Sequence, residues 1–317
     1  MVATLPERPD LDQLRRQAKE LRDATDSTLA AAQLAIARKY GFASWTRLGV
    51  EVRRKRLIEA GDAAGLRELL AAHPGIAAER ISSTLSRRAS SVLDYVAVAR
   101  FHGALDRDAA GELTEVLLAA GVRPDGDGSG DTPLITAASY GEAGMVRALL
   151  AAGADIEALG NAIPGGGTAL AHAVHYGMAA IVDILVAAGA RVHGIVVQAG
   201  AGQLPDVVVG DLVPALRAAA VCTRLPVIDR LLDAGADVDA KIDGGSCLHW
   251  AAWQARAASI EHLLARGANP DLRDDDHDLT PAQWYLHRRG ELDAIRNPDC
   301  RRDNNRIVRA LRIDETP

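Results

Sequence analysis

Apolar residues recur at helical spacing along most of the chain. Asp10 can cap a helix with Leu11, Leu14, Ala18 and Leu21 on one face, Leu29 to Lys39 makes a second that Gly41 stops, and a third runs from Ser44 towards Ala60. Asp62 to His73, DAAGLRELLAAH, adds a short Leu-rich helix. Beyond it the pattern becomes periodic. The stretches EVLLAAG, RALLAAG, DILVAAG, DRLLDAG and EHLLARG end at Gly121, Gly153, Gly189, Gly235 and Gly267, with spacings of 32, 36, 46 and 32 residues. A second series keeps step with them: DTPLITAASYG at Asp131, GTALAHAVHYG at Gly167, LVPALRAAAVC at Leu212, GSCLHWAAWQA at Gly245 and LTPAQWYLHRR at Leu279. Two markers in fixed phase are the signature of a repeat architecture.

Each unit has a local physical reading. Thr132 or Thr168 caps a first helix by accepting a backbone N–H, and Pro133 or Pro281 at the first helical position loses no hydrogen bond. Ala-Ala pairs let a second helix, with Leu149 and Leu150 for example, pack close behind, and glycine stops it in a left-handed cap. Segments 131–158 (DTPLITAASYGEAGMVRALLAAGADIEA) and 244–272 (GGSCLHWAAWQARAASIEHLLARGANPDL) resemble the ankyrin repeat over a whole unit. The resemblance implies an all-α ankyrin-repeat solenoid of helix–turn–helix units with hairpin fingers and a concave binding face, preceded by a small helical N-terminal cap. The expected division is an N-terminal helical module over 1–60 and about six repeat units over 61–317, closed by a capping helix from Asp303 to Ile313 that carries Arg306, Arg309 and Arg312.

Several places depart from the pattern. A long connection, Arg100 to Gly111, replaces the tight turn of the unit around Ser91 to Asp125. The stack is irregular between 190 and 213, where Ile195 to Gly202 reads as a degraded first helix and Val207 to Asp211 as an insertion. Ala255 replaces one turn glycine, and Cys222 stands at another. ARKYGFASWTRL, Ala37 to Leu48, resembles a short helical module that precedes ankyrin repeats in some bacterial proteins. Trp45 within it is expected in the core of the cap.

Composition narrows the partners. Aromatics are 3% of 317 residues although 48% are hydrophobic, so the core is built from Ala, Leu, Val and Ile in thin layers. Thirty-six basic against 42 acidic residues give a net charge of −6, which argues against nucleic acid as the main partner. No run of about eighteen apolar residues is present and the start is not signal-like, so no membrane span is expected and the location is read as cytoplasmic. Cys222, Cys247 and Cys300 make no CxxC pair and read as reduced thiols.

Most apparent chemistry dissolves in the repeat grammar. DGDGSGD, Asp125 to Asp131, has Thr136 where a calcium loop needs Glu, so it reads as a finger. PGGG, Pro164 to Gly167, lacks the Lys-Ser/Thr of a phosphate loop. DDDHD, Asp274 to Asp278, reads as a solvated acidic run, and no metal or cofactor is expected. Cys247 and His249 suggest a nucleophile–base pair, but the resemblance makes His249 a structural brace. The basic run Arg53 to Arg56 reads as a solvated helix face.

One feature remains. In an ankyrin unit the first-helix positions four, seven and eight after the threonine face the groove. They hold Tyr95; Thr136, Ser139 and Tyr140; His172, His175 and Tyr176; Arg217; Trp250, Trp253 and Gln254; and Trp284, His287 and Arg288. Six of the eleven aromatics fall on this set, as a binding hot spot requires. The expected function is a recognition scaffold for a protein partner, with Trp250, Trp253 and Trp284 as anchors. The rival expectation is a site for a small apolar or cationic ligand, or a cofactor-independent lyase, isomerase or cyclase, in which His172 or His175 works beside Tyr176 as acid or base.

Overall fold

The computed structural model of the chain describes residues 5, 9–81, 91–101, 105, 109–128, 130–161, 163, 166–208, 210–294 and 303–313. Cys300, Pro164 and the stretches 102–104 and 106–108 of the expected long connection lie outside them. The chain divides into two compact units, residues 1–129 with 147–154 and residues 130–146 with 155–317. Among the described residues no helix is long and apolar enough to cross a membrane.

The first unit begins with three capped helices. Asp10 accepts the N–H of Asp12 at 2.9 Å to start α1 (Leu11–Thr25), Thr28 caps α2 (Leu29–Lys39), and Ser44 caps α3 (Trp45–Glu59). Their apolar faces meet in a core of Leu14, Ala18, Ile36, Ala37, Leu48 and Val52, which Tyr40, Phe42 and Trp45 partly cover. Asp62 caps α4 (Ala63–Ala72), and α5 (Val92–Phe101) and α6 (Ala109–Ala119) follow.

The basic run is not the solvated face the sequence suggests. Arg53 and Arg56 are exposed, but Arg54 and Lys55 are 0% and 1% exposed. Arg54 donates to the carbonyls of Ile76, of Glu79 at 3.0 Å and of Arg80 at 3.3 Å, and to the Glu51 carboxylate at 2.9 Å. These carbonyls follow α4, the Ile76 one being buried, where a carbonyl without a donor costs free energy, so one guanidinium ties that segment to α3. The inward face of α3 is therefore partly ionic.

The second unit is built from helix pairs. Its elements are α7 (Pro133–Tyr140), α8 (Ala143–Ala151, within which the division between units falls), α9 (Ala169–His175), α10 (Ala179–Ala187), α11 (Ile195–Ala201), α12 (Leu212–Val221), α13 (Leu225–Asp233), α14 (Cys247–Trp253), α15 (Ala257–Ala265), α16 (Pro281–Ala294) and α17 (Asn304–Ala310). Thr132 and Thr168 accept backbone N–H groups at the starts of α7 and α9, and Thr280 and Gln283 bond each other's backbone N–H reciprocally at the start of α16. The first helices stack in sequence, α7 on α9, α12 on α14 and α14 on α16.

Left-handed residues end the first helices. After α7 and α9 these are Gly141 and Gly177, at φ +77° and +68°. After α12 and α14 they are Thr223 and Ala255, at +59° and +54°. Thr223 thus occupies the turn position that the sequence reading assigned to Cys222, whose φ is −90°. A β-branched residue is strained there.

In the irregular stretch, α11 packs against α9 and α12. A side chain at Gly200 would meet Val174 at 2.5 Å, so only glycine permits that approach. One finger is a two-stranded hairpin, β1 (Lys241–Ile242) and β2 (Gly245–Ser246), turned by Asp243–Gly244 at φ +49° and +85°. Side chains link successive fingers: Asp239 accepts the N–H of Asn269 at 2.9 Å, and Asp131 that of Asn161 at 2.7 Å. At the C-terminal end α17 packs on α15 through buried Ile307, and Arg306 pairs with Glu261 at 2.6 Å.

Candidate functional site

The stacking of first helices in the second unit brings their groove-facing positions into one strip. On α9 the His175 ring meets Tyr176 edge-on, centroids 4.9 Å apart. Arg217 of α12 donates to His175 Nδ1 at 3.2 Å and lies over the Trp250 ring of α14 at 5.1 Å. Trp250 and Trp253 both meet Trp284 of α16 edge-on, at 5.2 and 5.8 Å. Trp253 also stacks on His287 at 6.0 Å and carries Arg288 over its face at 5.1 Å. The order histidine, arginine, tryptophan runs unbroken from α9 to α16, held by edge-on ring contacts, one stacked pair and two cation–ring contacts.

Two of the three indoles are anchored from outside the helices. Trp250 Nε1 donates to the Ile242 carbonyl of the finger at 2.9 Å, and Trp284 Nε1 to Asp274 at 2.6 Å. Asp274 also accepts the N–H groups of Asp276 at 2.9 Å, His277 at 2.6 Å and Leu279 at 3.1 Å. Burial alone would raise its pKa, but these donors outweigh that and hold it at about 2. This corrects the reading of DDDHD as a solvated run: its first member is 5% exposed and organises the loop that carries Trp284. Trp253 differs from the other two, because its indole N–H has no acceptor among the described residues and its ring is half-buried.

Arg217 is 8% exposed, so it is an internal linker and not a solvent-facing group. Its guanidinium also faces the exposed Asp243 of the finger tip at 3.4 Å, and desolvation lowers its pKa. The sequence reading missed both Asp243 and Asp274. The Asp-Gly pair was a hairpin signal that located the first; nothing local marked which acid of DDDHD turns inward.

Two expected groove residues lie elsewhere. Tyr95 belongs to the first unit, where it is 1% exposed, donates to Glu59 at 2.5 Å and packs under Lys55. His172 is 0% exposed beneath the strip, with Nδ1 3.1 Å from Ser139 Oγ. Since that hydroxyl donates to the Ile135 carbonyl at 2.9 Å, His172 donates from Nδ1, and its buried Nε2 has no partner among the described residues. Tyr140, Thr136 and Gln254 are half-buried at their helix ends or faces.

This geometry does not support the acid–base reading. His172 cannot reach a ligand, and His175 Nδ1 is occupied by a cationic donor that a proton cannot replace without repulsion. Cys247 is no nucleophile either, because burial pushes its thiol up to about 12. Its neighbour His249 accepts the N–H of Ser246 on Nδ1 at 3.2 Å and donates from Nε2 to the Leu279 carbonyl at 3.1 Å, bracing one repeat on the next. Among the described residues no group of three His, Cys, Asp or Glu is placed to hold a metal.

Desolvation lowers the pKa of His172, His175 and His249. The unfolded chain then takes up protons near pH 6.5 that the folded chain refuses until lower pH, so stability is full above pH 6.5 and falls as the medium is acidified below it. The melting temperature at pH 5.5 should lie below that at pH 7.5, and His172→Gln should shrink the difference. An unchanged melting temperature across that range contradicts the burial of the neutral rings.

Residues 101–194 match a family model described as ankyrin repeats (3 copies), and residues 243–275 match the single ankyrin repeat. Among solved structures, the crystal structure of the human ASB11 ankyrin repeat domain aligns at 22% identity over 82% of this chain and 96% of that one, with a TM-score of 0.38. No curated protein matches the chain. With its helix pairs, left-handed stops and finger hairpin, and with these two matched segments, the chain is an all-α protein built on ankyrin repeats.

Proposed function

We propose that the strip from Tyr176 to Arg288 is the face with which this protein grips a protein partner, in the cytoplasm of a bacterium. Ankyrin repeats serve in general as protein-interaction scaffolds. Residues 1–60 act as an N-terminal helical module and 61–317 as the stack that presents the face. The observation that carries the reading is Trp253: its ring stacks on His287 and carries Arg288, and its N–H, which has no acceptor among the described residues, is left for a partner's. Aromatic and arginine side chains at the centre of an interface supply most of its energy. Trp250 and Trp284, fixed through their own N–H groups, hold that anchor in place, so little ordering cost falls on binding.

The test is affinity for a partner captured by the full chain and identified. Trp253→Ala should weaken it about 30-fold or more, Trp253→Phe less, and Arg288→Ala by an intermediate factor, with the melting temperature as the control for folding. Equal affinity of Trp253→Ala and the unaltered chain contradicts the assignment.

A further inference from the structure

The first unit holds a cleft of about 450 Å³ that the recognition strip does not use. Leu11 and Arg15 of α1 form one wall, and Trp45, Gly49, Arg53, Arg56 and Leu57 of α3 the other. The α3 residues recur every three to four positions, so the cleft follows one face of that helix for most of its length, roughly 20 Å at 1.5 Å per residue. Its lining is predominantly apolar, and its polar side chains are the exposed Thr46 hydroxyl and three guanidiniums.

Two observations mark it as a binding site. Arg53 and Arg56 are exposed and have no ion-pair partner among the described residues, whereas Arg54 between them is buried and bonded inside the fold through its terminal nitrogens. Gly49 sits in mid-helix, where glycine destabilises a helix relative to alanine. Its backbone is not left-handed, and a Cβ there would touch only Leu11, at an ordinary 3.8 Å. Neither the backbone nor the packing requires glycine at 49. Its missing side chain instead leaves the middle of the cleft open.

We propose that this cleft binds an amphiphilic carboxylate, an acid with an unbranched or aryl apolar body. The apolar part lies along Trp45, Gly49 and Leu57, and the carboxylate accepts hydrogen bonds from Arg53 and Arg56, whose planar forks match it. A cleft of this volume, with an apolar lining and arginines along it, has room for the body of a small molecule. Arg15 is already paired with Asp12 at 2.7 Å and contributes field more than direct bonds.

The test is calorimetric titration of the full chain with sodium octanoate, octan-1-ol, octylammonium and acetate as probes. Octanoate should bind best, octanol more weakly, and octylammonium and acetate not measurably. Arg53→Gln/Arg56→Gln should weaken octanoate about tenfold or more and leave octanol unchanged. Gly49→Leu should block both while leaving the melting temperature unchanged or raised, which separates occupancy of the cleft from loss of fold. Octanoate binding that survives Gly49→Leu, that is indifferent to the arginine pair, or that octylammonium equals, overturns the proposal.

Discussion

Arg54→Ala should be the most damaging single change in the first unit, lowering stability by about 3–5 kcal/mol. The substitution leaves the Glu51 carboxylate, 3% exposed, with only Arg47 at 3.8 Å, and deprives the carbonyls of Ile76, Glu79 and Arg80 of a donor. Neighbouring Arg53→Ala and Arg56→Ala should change stability by no more than about 0.5 kcal/mol, since both side chains are exposed. Glu51→Leu/Arg54→Met should lose less than Arg54→Ala, because it removes the stranded charge along with its partner. Urea unfolding of the four variants checks this. Equal losses across the basic run would mean that Arg54 is solvated like its neighbours.

Asp274→Asn is the counterpart in the second unit. The carboxylate accepts from three backbone N–H groups and from the Trp284 indole, and an amide nitrogen in place of Oδ2 would point a donor at the N–H groups of Leu279 and Trp284. Losing two charge-assisted hydrogen bonds and opposing two donors costs about 2–4 kcal/mol. Trp284 would leave its edge-on contacts with Trp250 and Trp253, so the tryptophan emission should move to the red below the unfolding transition. Because the Asp274 pKa lies at about 2, its contribution is complete above pH 4 and is lost only as pH falls towards 2. It is therefore separable from the histidine effect near pH 6. A variant with unaltered emission and melting temperature contradicts the central place given to this residue.

The helices were legible because their signals are local. Asp10, Thr28 and Ser44 cap the helices they precede, and the glycines that end second helices are left-handed as the repeat requires. The strip was legible for the same reason: positions four, seven and eight of each first helix share a face, and stacking aligns them. What escaped depends on residues far away in sequence. Tyr95 is internal because Glu59 and Lys55 meet it, and His172 because Ser139 of the preceding repeat does. Arg54 turns inward towards carbonyls more than twenty residues later, a need that periodicity does not encode. Asp274 differs, because its donors are near in sequence, on the turn that follows it and on α16, but a run of acids does not single out the one that accepts them.

The most direct measurement on the proposed recognition face is site-specific photo-crosslinking in living cells. A photoreactive amino acid is placed at position 253 in the strip, and in a second chain at position 180, an exposed alanine on α10. The aromatic strip as an interface predicts one dominant crosslinked protein from position 253 that Arg288→Ala diminishes, and none of it from position 180. The same product in equal yield from both positions, or none from 253 while the chain still captures its partner, would show that binding takes place on another surface.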